Sequence, residues 1–178
     1  MARLDTRNEA TERHDPALVM CCRSGFLAGV EPLLDAGANI ESTNVGGGTA
    51  LFIAAQEGFE AIVGLLIARG SQIDSICARG ITPLIKAAQK GHAPVVSLLL
   101  EYNAQIDLVY EDGWNALHSA AYDDRPEVCA LLIAKRLDPA TGDNYGFSAL
   151  SHFGFAYETP PPMTGARRKW AAPFAPPL

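Results

Sequence analysis

The sequence predicts an all-α solenoid, in which helical hairpins joined by short loops stack on one another. Two observations predict it. The chain repeats every 33 residues, since Gly47, Gly80, Gly113 and Gly146 fall in one phase without a gap. Each period also carries a pair of small residues followed by an apolar, leucine-rich segment. A period of this length indicates a repeat architecture in which each unit buries its apolar face against its neighbours.

The first helix of each unit is predicted from small residues in constant phase. Paired alanines recur at Ala54 and Ala55, Ala87 and Ala88, and Ala120 and Ala121. A leucine stands in step with them at Leu51, Leu84 and Leu117, and again at Leu150. Because alanine side chains are small, neighbouring first helices can approach closely.

The second helix is predicted from leucine pairs that fill the layer between successive units, at Leu65, Leu66, Leu98, Leu99, Leu131 and Leu132. Gly37 and Gly70 fall where this helix should end, and glycine adopts the left-handed conformation there at little cost. Asn103 takes that place in the third unit and tolerates the same geometry. Pro94 and Pro126 lie in the first turn of their helices, where the missing N–H is harmless.

Pro32 departs from this pattern. It lies about one turn inside the second helix of the first unit, where it removes a hydrogen bond at a cost of ~3 kcal/mol in a regular helix. We therefore expect the first unit to be distorted, with its second helix starting late or broken.

The unit resembles the ankyrin repeat, whose pattern reads roughly G-x-T-P-L-H-x-A-A-x-x-G-H, followed by an apolar second helix and G-A. The third unit comes close to the full pattern, with Gly80, Thr82, Pro83, Leu84, Ala87, Ala88, Gly91, His92, Val95, Val96, Leu98, Leu99 and Leu100. The resemblance implies an ankyrin solenoid of about four repeats plus a half repeat.

The predicted array covers residues 15–157. Its units lie at about 15–42, 43–75, 76–108, 109–141 and, for the half repeat, 142–157. A polar segment, 1–14, precedes it. A proline-rich tail, 158–178, follows it and is expected to be disordered, because its prolines cannot sustain a helix.

Charge and hydropathy exclude several classes of partner. Residues 15–157 carry 8 basic and 16 acidic side chains, and such an acidic body repels phosphate backbones, so nucleic acid is not an expected partner. The sequence has neither a signal peptide's apolar core nor an apolar run of the roughly 20 residues that span a bilayer. We expect a monomer without membrane insertion, located in the cytoplasm or the nucleus.

The resemblance implies that another protein binds on the hairpin tips and the exposed inner surface of the first helices. The candidate partner-binding residues are Arg79, Ile81, Gln89, Lys90, Glu111, Asp112, Trp114, Tyr122, Asp123, Tyr145 and Phe147. Rigid aromatic groups are common interface anchors, so repeats three to five are the expected hot spot. The alternative is that Trp114 and Phe147 simply cover the loops beneath them.

Catalytic interpretations are weaker. His118 and His92 occupy the family's TPLH and GH positions, where the resemblance implies that they brace loops by hydrogen bonds. Cys77 is the one cysteine expected to be accessible, and no nearby residue in the sequence would activate it. We therefore predict a noncatalytic adaptor or scaffold without cofactor or metal. The alternative is a regulatory or recruiting segment of a larger signalling enzyme, such as a kinase or ubiquitin ligase.

Overall fold

The computed structural model describes residues 16–77, 79–135 and 137–152. Within these ranges the chain forms nine α-helices, with a short 3-10 turn at Glu111–Gly113. The helices are α1 (Ala17–Ser24), α2 (Leu27–Asp35), α3 (Ala50–Glu57), α4 (Glu60–Ala68), α5 (Pro83–Lys90), α6 (Ala93–Glu101), α7 (Ala116–Tyr122), α8 (Pro126–Ala134) and α9 (Ala149–His152).

The helices pack as the repeat pattern predicts. Each odd-numbered helix from α1 to α7 packs against the helix that follows it, forming a hairpin. The inner helices α1, α3, α5, α7 and α9 contact one another in order along the stack. The outer helices α2, α4, α6 and α8 form a parallel row of successive contacts. The all-α solenoid is therefore confirmed.

One apolar core runs through the whole stack, from Leu18 in α1 to Ala149 in α9. The alanine pairs of α3, α5 and α7 are buried, as close helix approach requires. Leu66, Leu99 and Leu132 are fully buried between the inner and outer rows. Burying a leucine contributes about 1.5–3 kcal/mol, so stability accumulates along the array.

Helices α3, α5 and α7 begin at capping side chains, and α1, α3 and α5 end at glycines in the left-handed region. The hydroxyls of Thr49 and Thr82 each accept the backbone N–H three residues ahead, at 3.2 Å. Gly58 ends α3 with φ +81°, and a Cβ there would lie 2.6 Å from Nδ1 of His92. Glycine at this position therefore meets both a backbone and a packing requirement.

The predicted ends of the second helices are also confirmed. Gly37 and Gly70 follow α2 and α4, each with φ +88°. Asn103 follows α6 with φ +64°, so asparagine does replace glycine in the left-handed conformation.

The expectation for Pro32 was wrong. Helix α2 starts at Leu27, exactly one period before Glu60 begins α4, and it runs unbroken through Pro32 to Asp35. Pro32 removes the N–H that would bond to the carbonyl of Ala28. Both residues are exposed, so water can satisfy that carbonyl while Val30 holds the helix to the core.

Three predicted features lie outside the described residues. They are the polar segment 1–14, the proline-rich tail 158–178 and the last part of the half repeat, from residue 153 to 157. The described part of the half repeat comprises its hairpin turn and α9.

Candidate functional site

The loops between successive repeats are four hairpins that share one backbone hydrogen bond. In each, one backbone N–H donates to the carbonyl four residues ahead, in the pairs Asn44–Gly48 (2.9 Å), Cys77–Ile81 (3.1 Å), Tyr110–Trp114 (3.0 Å) and Asp143–Phe147 (2.9 Å). The glycine inside each turn has a φ between +75° and +80°. Equivalent tip residues therefore recur at the same place in successive repeats.

The structure places the predicted partner-binding residues on these tips and on α5 and α7. Five of them are exposed, namely Arg79, Lys90, Glu111, Tyr122 and Tyr145. Six are half-buried, namely Ile81, Gln89, Asp112, Trp114, Asp123 and Phe147. Because they occupy equivalent positions of packed repeats, they line one strip, which we call the tip strip.

An aromatic cluster lies at the centre of the tip strip. The ring of Trp114 is 5.2 Å from that of Tyr122, stacks on His118 at 6.4 Å and meets Tyr110 edge-on at 6.4 Å. Tyr122 remains 42% exposed. Packing on three sides fixes the indole and leaves one ring of the cluster open to solvent.

Two of the aromatic side chains also link repeat four to the half repeat. The indole N–H of Trp114 donates to Oδ2 of Asp143 at 3.0 Å. The hydroxyl of Tyr145 donates to Oδ1 of Asp112 at 2.8 Å. These two bonds tie the hairpin of repeat four to that of the half repeat.

The backbone of Asp112 was not anticipated from the sequence. Its φ of +70° places it in the left-handed region, directly before Gly113. Its carbonyl accepts the N–H of Asn144 at 2.9 Å. A non-glycine residue in this conformation is held by its surroundings, here by bonds from the half repeat through both its backbone and its side chain.

The loop-bracing role expected of the two histidines is confirmed. Nε2 of His92 lies 2.9 Å from the carbonyl oxygen of Gln56 in the preceding repeat. Nε2 of His118 lies 3.2 Å from the carbonyl oxygen of Phe147 in the following hairpin. His118 is buried, and this burial lowers its pKa, whereas the hydrogen bond to Phe147 acts in the opposite direction.

A basic group lies beside the aromatic cluster. Burial is the main cause that lowers the pKa of Lys86, and the positive charges of Lys90 and Arg79 lower it further. The Lys86 ammonium donates to Oε1 of Gln89 at 2.8 Å. Burial raises the pKa of Tyr110, and the positive charge of Arg79 acts on Tyr110 in the opposite direction. Tyr110 was absent from the predicted site, and it stands one period after Cys77 in the sequence.

The buried cysteines have the properties of packing residues. Burial raises the pKa of Cys22 to about 12 and that of Cys129 to about 11, so both remain thiols at neutral pH. In the part of the chain that the structure describes, no group of histidine, cysteine or acidic side chains has the arrangement of a metal site.

The packing defines a class of protein, the helical-hairpin repeat solenoid with a strip of exposed tips. A family model described as ankyrin repeats (3 copies) matches residues 18–110 and again residues 51–143. The chain therefore belongs to the ankyrin repeat family, whose members are generally protein-protein interaction modules. No curated protein matches the chain. Among the described residues, no helix is both long and apolar enough to cross a bilayer.

Proposed function

We propose that the chain is a noncatalytic adaptor or scaffold, which binds a partner protein along the tip strip of repeats three to five. The observation that carries this proposal is the aromatic cluster. Trp114 is held by three rings and a hydrogen bond, and it supports Tyr122, which is 42% exposed. A rigid, half-exposed aromatic side chain loses little conformational entropy on binding, and such residues dominate interface energetics.

Tyr145 extends the same surface by one repeat. Its ring is 46% exposed, while its hydroxyl is fixed on Asp112. Charged side chains flank these rings, with Arg79 and Lys90 on repeat three and Glu111 and Asp112 on repeat four. An apolar centre with charged margins is the arrangement expected of a protein interface.

The test is capture of partners from the native cell by the full chain, followed by affinity measurement with the captured protein. We expect Tyr122→Ala to weaken binding about thirtyfold or more, because hot-spot truncation costs at least ~2 kcal/mol. Tyr102→Ala is the matched control. Tyr102 is 49% exposed at the end of outer helix α6, away from the tip strip, and its removal should leave affinity unchanged.

The proposal would be wrong if Tyr122→Ala left affinity unchanged while a substitution in repeat two, such as Val45→Asp, abolished it. Val45 is exposed at the tip of repeat two, outside the proposed hot spot. Circular dichroism of each variant checks that the helices remain folded.

A further inference from the structure

The concave side of repeat three collects positive charge in a chain whose array is acidic. Lys86 and Lys90 are four residues apart on α5, so their ammonium groups lie on the same face of the helix. Arg79, on the hairpin tip before α5, also acts on the charge of Lys86. Like charges at this spacing destabilise a helix, so folding alone does not account for the grouping.

Neither lysine of this group forms an ion pair with another residue in the described part of the chain, although the negative charge of Asp123 acts on Lys86. Lys86 donates to the neutral amide of Gln89, and no carboxylate of the described residues lies within ion-pair distance of either lysine. Arg79 reaches Glu111 only at 3.9 Å, with both side chains largely exposed. Lys86 is half-buried, which strengthens its interaction with an incoming anion relative to a fully solvated pair.

The basic group and the aromatic cluster lie side by side. Tyr122 occupies on α7 the position that Gln89, the hydrogen-bond partner of Lys86, occupies on α5, and the two helices pack directly against each other. Tyr110 and Lys86 share Arg79 and Asp123 as charged neighbours. A ligand that touches the ring of Tyr122 is therefore within reach of the ammonium of Lys86.

We propose that the tip strip recognises a linear peptide segment in which a carboxylate side chain, bound by Lys86 and Lys90, adjoins an apolar side chain that packs on Tyr122. This inference rests on the proposed function and specifies its partner. Glu111 and Asp123 flank the site and repel further negative charge, so one or two carboxylates are favoured over a long acidic run.

The probe is a displayed library of random linear peptides, selected on the full chain. The expected result is enrichment of sequences with aspartate or glutamate near an apolar residue. The most enriched peptide is then synthesised, together with a version in which its acidic residue is replaced by the corresponding amide. Direct titration gives the affinity of both peptides for each protein variant.

Lys86→Gln and Lys90→Gln should each weaken binding of the acidic peptide about fivefold, near the upper range for a partly exposed ion pair. Lys135→Gln is the matched control, because Lys135 is an exposed lysine that follows α8, and it should leave affinity unchanged. In Lys86→Gln, changing the peptide's acid to an amide should cause little further loss, since the two groups interact directly.

The outcomes separate this inference from the proposed function. If selected peptides are not enriched in acidic residues, or if Lys86→Gln and Lys135→Gln behave alike, the inference is wrong. If those peptides nevertheless lose affinity in Tyr122→Ala, the tip strip remains the binding surface. If the selected peptides are insensitive to Tyr122→Ala, the proposed binding surface itself is overturned.

Discussion

The interface between repeats two and three differs in chemistry from the interface between repeat four and the half repeat. Between repeats two and three, alanine pairs and leucines pack against each other. The bonds from His92 to the carbonyl of Gln56, and from the N–H of Gln105 to the carboxylate of Asp74, each join a side chain to the backbone across this interface. At the later interface, polar and aromatic side chains add bonds from one hairpin to the next, from Trp114 to Asp143, Tyr145 to Asp112 and His118 to Phe147.

The environment of the outer helices explains this difference. Helix α6 has α8 beside it, and Leu100 on α6 is half-buried. Ile133, the equivalent residue on α8, is 41% exposed, since no helix of the described ranges covers it. With less apolar surface buried by the outer row, the half repeat is held largely through its hairpin and α9. The comparison teaches that the repeat pattern determines the stack, whereas individual side chains determine how its last member is attached.

The largest expected effect tests the interior of the array. Leu99→Ala, in α6, should lower the free energy of unfolding by about 3–5 kcal/mol, because the cavity is enclosed by helices on both sides. Leu132→Ala, in α8, should cost about 2–3 kcal/mol, because neighbours at the end of the outer row can relax into the space. Chemical denaturation measures both values. Equal losses would contradict the proposed difference between the two regions.

Removal of a helix cap should have a smaller effect than the leucine substitutions. Here the loss of unfolding free energy should be larger at the end of the array than in its interior. Oδ1 of Asn115 accepts the N–H groups of Leu117 at 3.0 Å and His118 at 3.1 Å, whereas the hydroxyl of Thr82 accepts one N–H. Asn115→Ala should therefore cost about 2 kcal/mol and Thr82→Ala about 1 kcal/mol in unfolding free energy. Thr82→Ser retains the accepting oxygen and serves as the control. A larger loss in Thr82→Ala would show that the end of the array depends less on its polar bonds.

The stack was predictable because its signals are periodic. Gly58 and Gly91, one period apart, both end inner helices with positive φ, and Asn103 takes the conformation predicted for it. Pro32 showed the limit of local propensity, since core packing through Val30 keeps α2 continuous. Propensity describes an isolated helix, whereas a repeat helix is held by its neighbours.

The tip strip was predictable in position but not in chemistry. Its residues follow from the phase of the hairpins, as Trp114 and Tyr145 illustrate. The bond between Tyr145 and Asp112 joins side chains 33 residues apart, and the left-handed Asp112 depends on that contact. Such pairs form because neighbouring tips lie close together in the stack. That distance cannot be read from the sequence of a single repeat.

The third prediction concerns the left-handed residue after an inner helix, which is glycine in the earlier repeats and Asp124 in repeat four. Asp124 follows α7 with φ +55°, at the position that glycine occupies after α3 and α5. Asp124→Gly should raise the melting temperature and stabilise the chain by about 0.5–1 kcal/mol, because glycine adopts this conformation without strain. The reverse change, Gly91→Asp, should destabilise it, since a Cβ there would lie 2.6 Å from Cδ of Arg125. Destabilisation by Asp124→Gly would indicate that the aspartate side chain makes a compensating interaction.

The smallest expected effect is a pH dependence of the unfolding free energy that comes from His118, at the interface between repeat four and the half repeat. Burial lowers the pKa of His118, so the folded chain binds this proton less tightly than the unfolded chain. The neutral His118 should therefore contribute fully to the free energy of unfolding above the ordinary imidazole pKa of about 6.5. That free energy should fall as the solution is acidified below this value. Thermal unfolding measured from about pH 7.5 to pH 5.5 covers this window, in which His118→Gln should show a shallower loss than the native chain.

His92→Gln is the matched variant for that experiment, because it removes the equivalent bracing hydrogen bond at the earlier interface. Nε2 of His118 lies 3.2 Å from the carbonyl oxygen of Phe147, while Nδ1 lies 2.8 Å from Oδ1 of Asn115 and 3.5 Å from its backbone N–H. A rise in stability on acidification that His118→Gln abolishes would show that these contacts outweigh burial, and that the last hairpin is attached through a charged histidine.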